Sequence, residues 1–341
     1  MGFFSLTHEL AIDLGTANTL IVYNDEVVVE EPSVIAVDRQ GKLKAYGHDA
    51  ARYIGKCPDH LHTIRPLQNG VIADFDATEL MLKGMISRIK TTGSLFSPSL
   101  KMVICIPSGS TNVEIRAVRE SAEHAGGREV AMILEPMAAA LGAGLDVIAP
   151  EGNMIIDIGG GTSEIACISL GGIVCYKSIN IAGDVFTSDI KNYVRQQHNI
   201  RIGERTAELI KCKIGAALPE LEPDEVPEDL SISGPSVLTS LPQTVTLNYS
   251  EIAYALEDSL SKLDQALMAV LTDMPAELYT DVVKNGVYLA GGGALIKGLA
   301  KRLSDKTGLQ FHIAEDPLRA VVRGTNIALK NMDRYSFLIR A

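Results

Sequence analysis

The residues best suited to chemistry are aspartates at the ends of apolar runs, each followed closely by glycine. Met154-Ile155-Ile156-Asp157-Ile158-Gly159-Gly160-Gly161-Thr162-Ser163-Glu164-Ile165 predicts a buried strand, a tight turn and a second strand starting at Thr162. Consecutive glycines let main-chain N–H groups approach an anion that side chains would hold off. A carboxylate at the end of the first strand is placed to hold a hydrated Mg²⁺ against that anion, because Mg²⁺ gives up its waters reluctantly. The same pattern occurs earlier as Ile12-Asp13-Leu14-Gly15-Thr16-Ala17-Asn18-Thr19-Leu20-Ile21. A third glycine turn, Gly291-Gly292-Gly293, follows the apolar run of residues 287–290. One such turn is usually only a hairpin. Three of them, two preceded by a strand-terminal Asp, point to two similar halves clamping one polyphosphate. Neither G-x-x-x-x-G-K-[ST] nor a completed G-x-G-x-x-G is present.

Other residues have an ordinary reading beside a functional one. Glu135-Pro136 opens a helix, where a lone carboxylate is an exposed group favoured by the helix dipole. Glu208 and Lys211 share one helix face, and alone would form a surface ion pair worth little. Phe3, Phe4 and Leu6 precede the first strand, and Leu95-Phe96 sits in the polar loop of residues 91–99. With seven Phe in the chain, three in a tail and a loop either fold back onto a core or insert into something apolar. Residues 219–229 hold acids and prolines and no base, which reads as a solvated loop.

These residues need elements to position them. Residues 10–37 alternate in three short runs and predict an antiparallel meander. Residues 38–70, rich in Gly and Pro, read as a small inserted subdomain. Asp76 with Glu79 predicts a capped helix carrying Met81, Leu82, Met85, Ile86 and Ile89. Strand 102–106, a helix capped by Thr111 and Glu114, strand 130–134 and helix 137–143 alternate as in a mixed sheet covered by helices. The second half repeats the plan. Strands over 154–178 are followed by helices from 184 and within 203–215, and by short strands over 231–247. A helix capped by Asn248 and Glu251 runs to 271, then strand 287–290, helix 294–307 and a final helix 319–330.

At 341 residues the chain is long enough for two domains. A net charge of −11, with no basic cluster to offset it, argues against nucleic acid as a partner. The cysteines are scattered without a C-x-x-C pair, which fits reduced thiols in a cytosol acting as structural filler. No apolar run approaches the ~18 residues of a membrane span. The N-terminus lacks the basic segment of a secretory signal. Leu6 breaks the myristoylation motif.

The two Asp–Gly hairpins, Leu134-Glu135-Pro136-Met137-Ala138-Ala139-Ala140-Leu141-Gly142-Ala143-Gly144 and Leu289-Ala290-Gly291-Gly292-Gly293-Ala294-Leu295 occur in the order of the actin, sugar-kinase and heat-shock-chaperone ATPase superfamily. Within it the chain resembles the MreB-type bacterial actins that determine rod shape. Ile64-Arg65-Pro66, Gly70-Val71-Ile72-Ala73-Asp74-Phe75, Arg119-Glu120-Ser121-Ala122 and Asp316-Pro317-Leu318 extend the match over nearly the whole chain.

The resemblance implies an α/β, duplicated actin-like fold with nucleotide in the cleft. Domain I would be residues 1–143 plus 322–341, with a small subdomain near 32–70. Domain II would be 144–321, with one near 185–245. The ligands implied are ATP and Mg²⁺. Thr16, Ala17 and Asn18 would touch the terminal phosphates, and Gly159, Gly160, Gly161 and Thr162 the opposite side of the phosphate chain. Asp13 and Asp157 would organise Mg²⁺ through waters, and Glu135 would orient the attacking water. Asp13, Asp157, Thr162 and Glu135 form the implied catalytic set. The face of Glu208, Leu209, Ile210 and Lys211 would border the adenosine, and Gly291, Gly292, Gly293, Ala294 and Leu295 the adenine.

The implied function is a slow ATPase forming homopolymer filaments on the inner face of the cytoplasmic membrane. Cell-wall elongation proteins and a membrane-spanning adaptor such as RodZ are the implied partners. No Lys or Arg precedes Arg39, so attachment would use apolar insertion of Phe3, Phe4, Leu6, Leu95 and Phe96 in place of a basic helix. The rival is a non-polymerising ATPase of the superfamily. A small-molecule kinase would need large insertions, and a chaperone module a peptide-binding domain where only a short tail follows Lys330.

Overall fold

The computed structural model describes residues 7–89 and 99–340. Phe3, Phe4, Leu6, Leu95 and Phe96 lie outside the described residues. By internal packing the chain divides into one unit of Met1–Glu151, Ile168–Val174 and Leu318–Ala341, and another of Gly152–Cys167 and Cys175–Pro317.

The first unit opens with the expected meander, in which β1 (Thr7–Leu14), β2 (Asn18–Tyr23) and β3 (Glu26–Pro32) pair antiparallel. β4 (Ile35–Asp38) leaves that sheet and joins β5 (Leu43–Tyr46) and β6 (Leu61–Ile64) in a separate three-stranded sheet. With α1 (Gly47–Ala51), this segment encloses its own small cluster of Val34, Ala36 and Ala50. β7 (Leu67–Gln68) and β8 (Val71–Ile72) turn on Asn69 and Gly70, both at positive φ as a two-residue hairpin requires.

α2 (Phe75–Ser87) buries Met81, Leu82, Met85 and Ile86. Its cap differs from expectation. Asp74, not Asp76, accepts from the Ala77 N–H at 2.9 Å, and Glu79 instead pairs with Lys83 and His124. The N–H groups of Ala73 and Asp74 are held by the Pro66 carbonyl. That keeps the chain extended only as far as Asp74, and the helix starts there. Then come β9 (Ser99–Ile106), α3 (Asn112–His124) opened by the Thr111–Glu114 capping box, β10 (Gly127–Leu134) and α4 (Glu135–Gly142). β9 runs parallel to both neighbours in a five-stranded mixed sheet of order β10-β9-β1-β2-β3.

The second unit builds its sheet from β11 (Asn153–Ile158), β12 (Ser163–Ser169) and β13 (Gly172–Ile179). α5 (Gly183–His198) and α6 (Glu204–Ile214) follow, then the antiparallel pair β14 (Leu230–Pro235) and β15 (Pro242–Leu247). α7 (Tyr249–Asp273) begins at the expected Asn248–Glu251 capping box. α8 (Ala276–Asn285) went unread although Leu278, Tyr279, Val282 and Val283 fall at helical spacing, because that stripe is short and Val282 is its one fully buried residue. β16 (Val287–Ala290) pairs parallel with β11. The helix expected from Ala294 begins only at Leu299. Residues Gly292–Leu295 wind as a 3₁₀ turn and Gly298 sits at φ +71°, a left-handed break, before α9 (Leu299–Thr307). β17 (Phe311–Ile313) completes the sheet β13-β12-β11-β16-β17. Phe186, Ile190, Ile210 and Ile214 belong to this unit's main core, so residues 185–245 share that core and do not form one of their own.

α10 (Ala320–Lys330) returns to the first unit and packs on α4 with almost no spacing. A Cβ on Gly324 would lie 1.7 Å from the Ala138 carbonyl oxygen, and one on Gly142 1.8 Å from that of Ala320. Arg323 Nε and Nη2 also donate to the Gly142 carbonyl, at 3.0 and 2.7 Å. This contact fixes the helix whose first turn carries Glu135. Gly324→Ala should therefore force the helices apart and cost about 2 kcal/mol or more in urea unfolding. An unchanged unfolding midpoint would show that the two helices separate freely.

Candidate functional site

In the first unit the parallel strands β1, β9 and β10 bring their C-terminal ends together, the side of such a sheet where ligands bind. Ile12 pairs with Ile104, and Leu134 with Ile106. This puts Asp13 beside Cys105, and Glu135 just past the end of β10. Cys105 Sγ donates to Asp13 Oδ1 at 3.0 Å. Burial raises the Asp13 carboxyl to about 6, and the thiol bond pulls against that rise. Burial, then the charges of Asp13 and Glu135, push the Cys105 thiol well up, so it stays a protonated donor. Glu135 is buried, at 9% exposure, so the exposed-carboxylate reading of it does not hold.

The Gly15–Asn18 turn is shaped by Ser33. Ser33 Oγ donates to the Gly15 carbonyl at 2.6 Å, and Ser33 N–H to the Ala17 carbonyl at 2.9 Å. Thr19 Oγ1 lies 2.9 Å from Ser33 Oγ and fixes the hydroxyl. In a planar trans peptide, C=O and the following N–H point opposite ways. Two carbonyls drawn toward Ser33 therefore turn the Thr16 and Asn18 amides away from it. Thr16 Oγ1 accepts from the Gly70 N–H at 2.8 Å, which leaves its hydroxyl proton to donate elsewhere.

The second unit repeats the device with different parts. Gly183 N–H donates to the Gly159 carbonyl at 3.1 Å and Asp184 N–H to that of Gly160 at 2.8 Å, both from the start of α5. The Gly160 and Gly161 amides are turned away from α5 by the same geometry. Asp157, buried at the end of β11, packs beside Gly291, where a Cβ would lie 2.6 Å from Asp157 Oδ1 and 2.3 Å from the Ile158 carbonyl oxygen. Gly293 is as confined, with Ile158 Cγ2 2.1 Å from where its Cβ would be. The structure thus gathers Asp157, Gly159 to Thr162 and Gly291 to Gly293 in one neighbourhood.

Glu208 and Lys211 form more than a surface pair. Their 2.7 Å contact is tied to α5, with Lys211 Nζ donating to the Gly183 carbonyl at 2.8 Å and Thr187 Oγ1 to Glu208 Oε2 at 2.6 Å. Burial would raise the Glu208 carboxyl, but Lys211 outweighs it and holds it below its ordinary value. Lys211 thereby joins the segment that shapes the Gly159 turn. Between them, Leu209 is exposed and Ile210 is a fully buried core side chain, so Ile210 can offer a ligand only its backbone. Ala294 is buried and Leu295 half-exposed. Sequence reading missed Ser33, Gly183 and Thr187, and took Cys105 as filler. A small polar residue or glycine just before an element was the only local sign of the first two.

Two units, each with a mixed sheet, a strand-terminal Asp and an amide-presenting turn, define an actin-like protein. The fold is shared with MreB5 of Spiroplasma citri bound to ADP, at TM-score 0.90 and 35% identity, covering 96% of this chain and 98% of that one. The AMPPNP-bound form of MreB5 aligns with TM-score 0.89. The MreB/Mbl protein family matches residues 7–336, and the chain belongs to that family. It is 46% identical to the cell shape-determining protein MreB of Escherichia coli K12 over 340 residues, 98% of this chain and 96% of that one. It is 43% identical to Mbl of Bacillus subtilis over 328 residues, 96% of this chain and 97% of Mbl. The resemblance read from the motifs is borne out.

A carboxyl raised to about 6 sets a pH dependence. Its contribution to the ligand-free fold is present below the ordinary carboxylate value and lost as pH rises through about 6. Asp13→Asn should remove that loss, so the variant should be more stable than the parent near pH 8, by at most ~3 kcal/mol, and converge with it near pH 4. Parallel pH–stability curves for the two proteins would contradict the assignment.

Proposed function

We propose that this chain is a slow Mg²⁺-dependent ATPase that assembles with ATP into filaments on the inner face of the cytoplasmic membrane. There it organises cell-wall synthesis and maintains rod shape. The observation that carries the nucleotide reading is the shared build of the Gly15–Asn18 and Gly159–Thr162 turns, whose captured carbonyls turn main-chain amides away from Ser33 and from α5, as an anion site requires. The nucleotides bound to MreB5 support it. Among the described residues no three His, Cys, Asp or Glu gather as a metal cage. Asp13, raised by desolvation and so short of a cation, suits an ion that keeps its waters and leans on phosphate oxygens. Asp13 and Asp157 would hold Mg²⁺, which when bound neutralises charge on the phosphates.

In this reading Thr16, Ala17, Asn18 and Gly159 to Thr162 bind the phosphates of ATP, and Glu135 orients the attacking water. Glu208 to Lys211 and Gly291 to Leu295 flank the adenosine. Assembly makes nucleotide state a switch on subunit contacts. The partners are further copies of this chain, cell-wall elongation proteins and a membrane-spanning adaptor such as RodZ. Among the described residues no helix is long and apolar enough to cross a membrane. Attachment is assigned to Phe3, Phe4, Leu6, Leu95 and Phe96, where weak apolar contacts summed along a filament give firm binding.

Glu135→Ala should slow phosphate release by roughly 100-fold or more and leave ATP affinity and filaments intact. Asp157→Ala should instead weaken Mg-ATP binding. Equal loss of affinity in both variants would contradict these separate roles. In electron microscopy on lipid monolayers with Mg-ATP, filaments should coat the lipid. The variant with Ser at Phe3, Phe4, Leu95 and Phe96 should form filaments only in solution. A protein that stays monomeric with Mg-ATP and lipid would favour a non-polymerising ATPase.

A further inference from the structure

Arg302, on α9, is 4% exposed yet carries a full positive charge into the second unit's interior. α7 offers it three side chains on one helical face. Nη1 and Nη2 donate to the Glu257 carboxylate at 2.6 and 2.9 Å, Nη2 to Asp264 Oδ2 at 2.8 Å and Nη2 to Ser261 Oγ at 3.4 Å. Nε adds contacts to both Asp264 oxygens, at 3.3 and 3.1 Å. Among the described residues its one main-chain partner is the Ala217 carbonyl, reached by Nη1 at 3.2 Å.

That carbonyl sits at a junction. Ala217 N–H donates to the Lys297 carbonyl at 2.8 Å, and Lys297 N–H to that of Gly215 at 3.2 Å. This short parallel bridge stitches the end of α6 to the chain leaving the Gly292–Leu295 turn. Those are the two segments assigned above to the sides of the adenosine. Burying a guanidinium with two carboxylates gains little for stability, and a well-packed apolar side chain of similar volume often serves helix packing as well. A fork that holds two α7 carboxylates and one carbonyl of the stitch does something an apolar residue cannot: it fixes the stitch relative to a long, rigid helix.

We infer that Arg302 is a positioning residue for the base-binding side of the nucleotide site, setting the spacing between α6 and the Gly291–Leu295 turn through the Ala217 carbonyl. The inference rests on the nucleotide reading given above. Loss of the fork should loosen recognition of adenosine and leave the phosphate side untouched. A group that binds ground and transition states equally shows itself in KM and not in kcat.

The test is ATPase kinetics of Arg302→Met and Arg302→Lys beside the parent, with inorganic tripolyphosphate as a competitive inhibitor lacking the base. The expected result is a KM for ATP raised about tenfold, with kcat and the tripolyphosphate inhibition constant unchanged. Lysine should restore charge pairing without restoring KM, because it cannot span carboxylates and carbonyl together. If Arg302→Met does not fold, Arg302→Lys alone is read in the same way. An unchanged KM, or equal shifts for ATP and tripolyphosphate, would overturn the inference. Leu295→Asp, at a half-exposed side chain of the same turn, separates this from failure of the site itself. If it leaves ATP affinity unaltered, the base does not sit there at all, whereas an effect from Leu295→Asp with none from Arg302 sinks only the positioning role.

Discussion

The rigid geometry of the peptide plane is the constraint on which the site depends. A trans amide cannot aim its carbonyl and its N–H the same way. Whatever captures the carbonyls of a glycine turn therefore decides where the amides face. In the first unit Ser33 does this with one side-chain and one main-chain donor. In the second, the first two amides of α5 do it. The duplicated function is thus achieved by different chemistry. Glycine makes each turn possible, but residues outside the turn give it direction.

Charge is placed to match. Asp13, Cys105 and Glu135 converge because β1, β9 and β10 run parallel and end on one side. Desolvation leaves the Asp13 carboxyl reluctant to ionise, with a neutral thiol as its donor. Such a group favours an incoming cation more than a solvated aspartate would. Lys211 and Glu208 neutralise each other beside the Gly159 turn while Lys211 anchors the carbonyl of Gly183, itself one of the donors that orient that turn. Helix α6 and the Gly159 turn are therefore parts of a single hydrogen-bonded assembly.

Much of this was legible in the chain. Strand–Asp–Gly-turn units announce themselves because burial, a strand-terminal carboxylate and consecutive glycines are all local signals. The capping boxes at Thr111 and Asn248 were read correctly for the same reason. What sequence could not show was set by contacts across the fold. Ser33 reads as an ordinary loop serine until it meets Gly15 and Ala17. Asp74 took the cap expected of Asp76 because the Pro66 carbonyl, on another segment, fixed where the extended chain ends. α8 shows only a short apolar stripe, Leu278, Tyr279, Val282 and Val283, and buries Val282 alone completely. Glu135 resembles a surface carboxylate because nothing local reveals that the end of β10 delivers it beside Cys105.

If captured carbonyls aim specific amides at a bound polyphosphate, binding must change the solvent exposure of those amides. Residue-resolved amide hydrogen exchange, with and without Mg-ATP, reads that change. Slowed exchange at Thr16, Asn18, Gly160 and Gly161, with Ser33, Gly183 and Asp184 already protected in the free protein, is the predicted result. Exchange at those four turn amides that is indifferent to Mg-ATP would contradict the account.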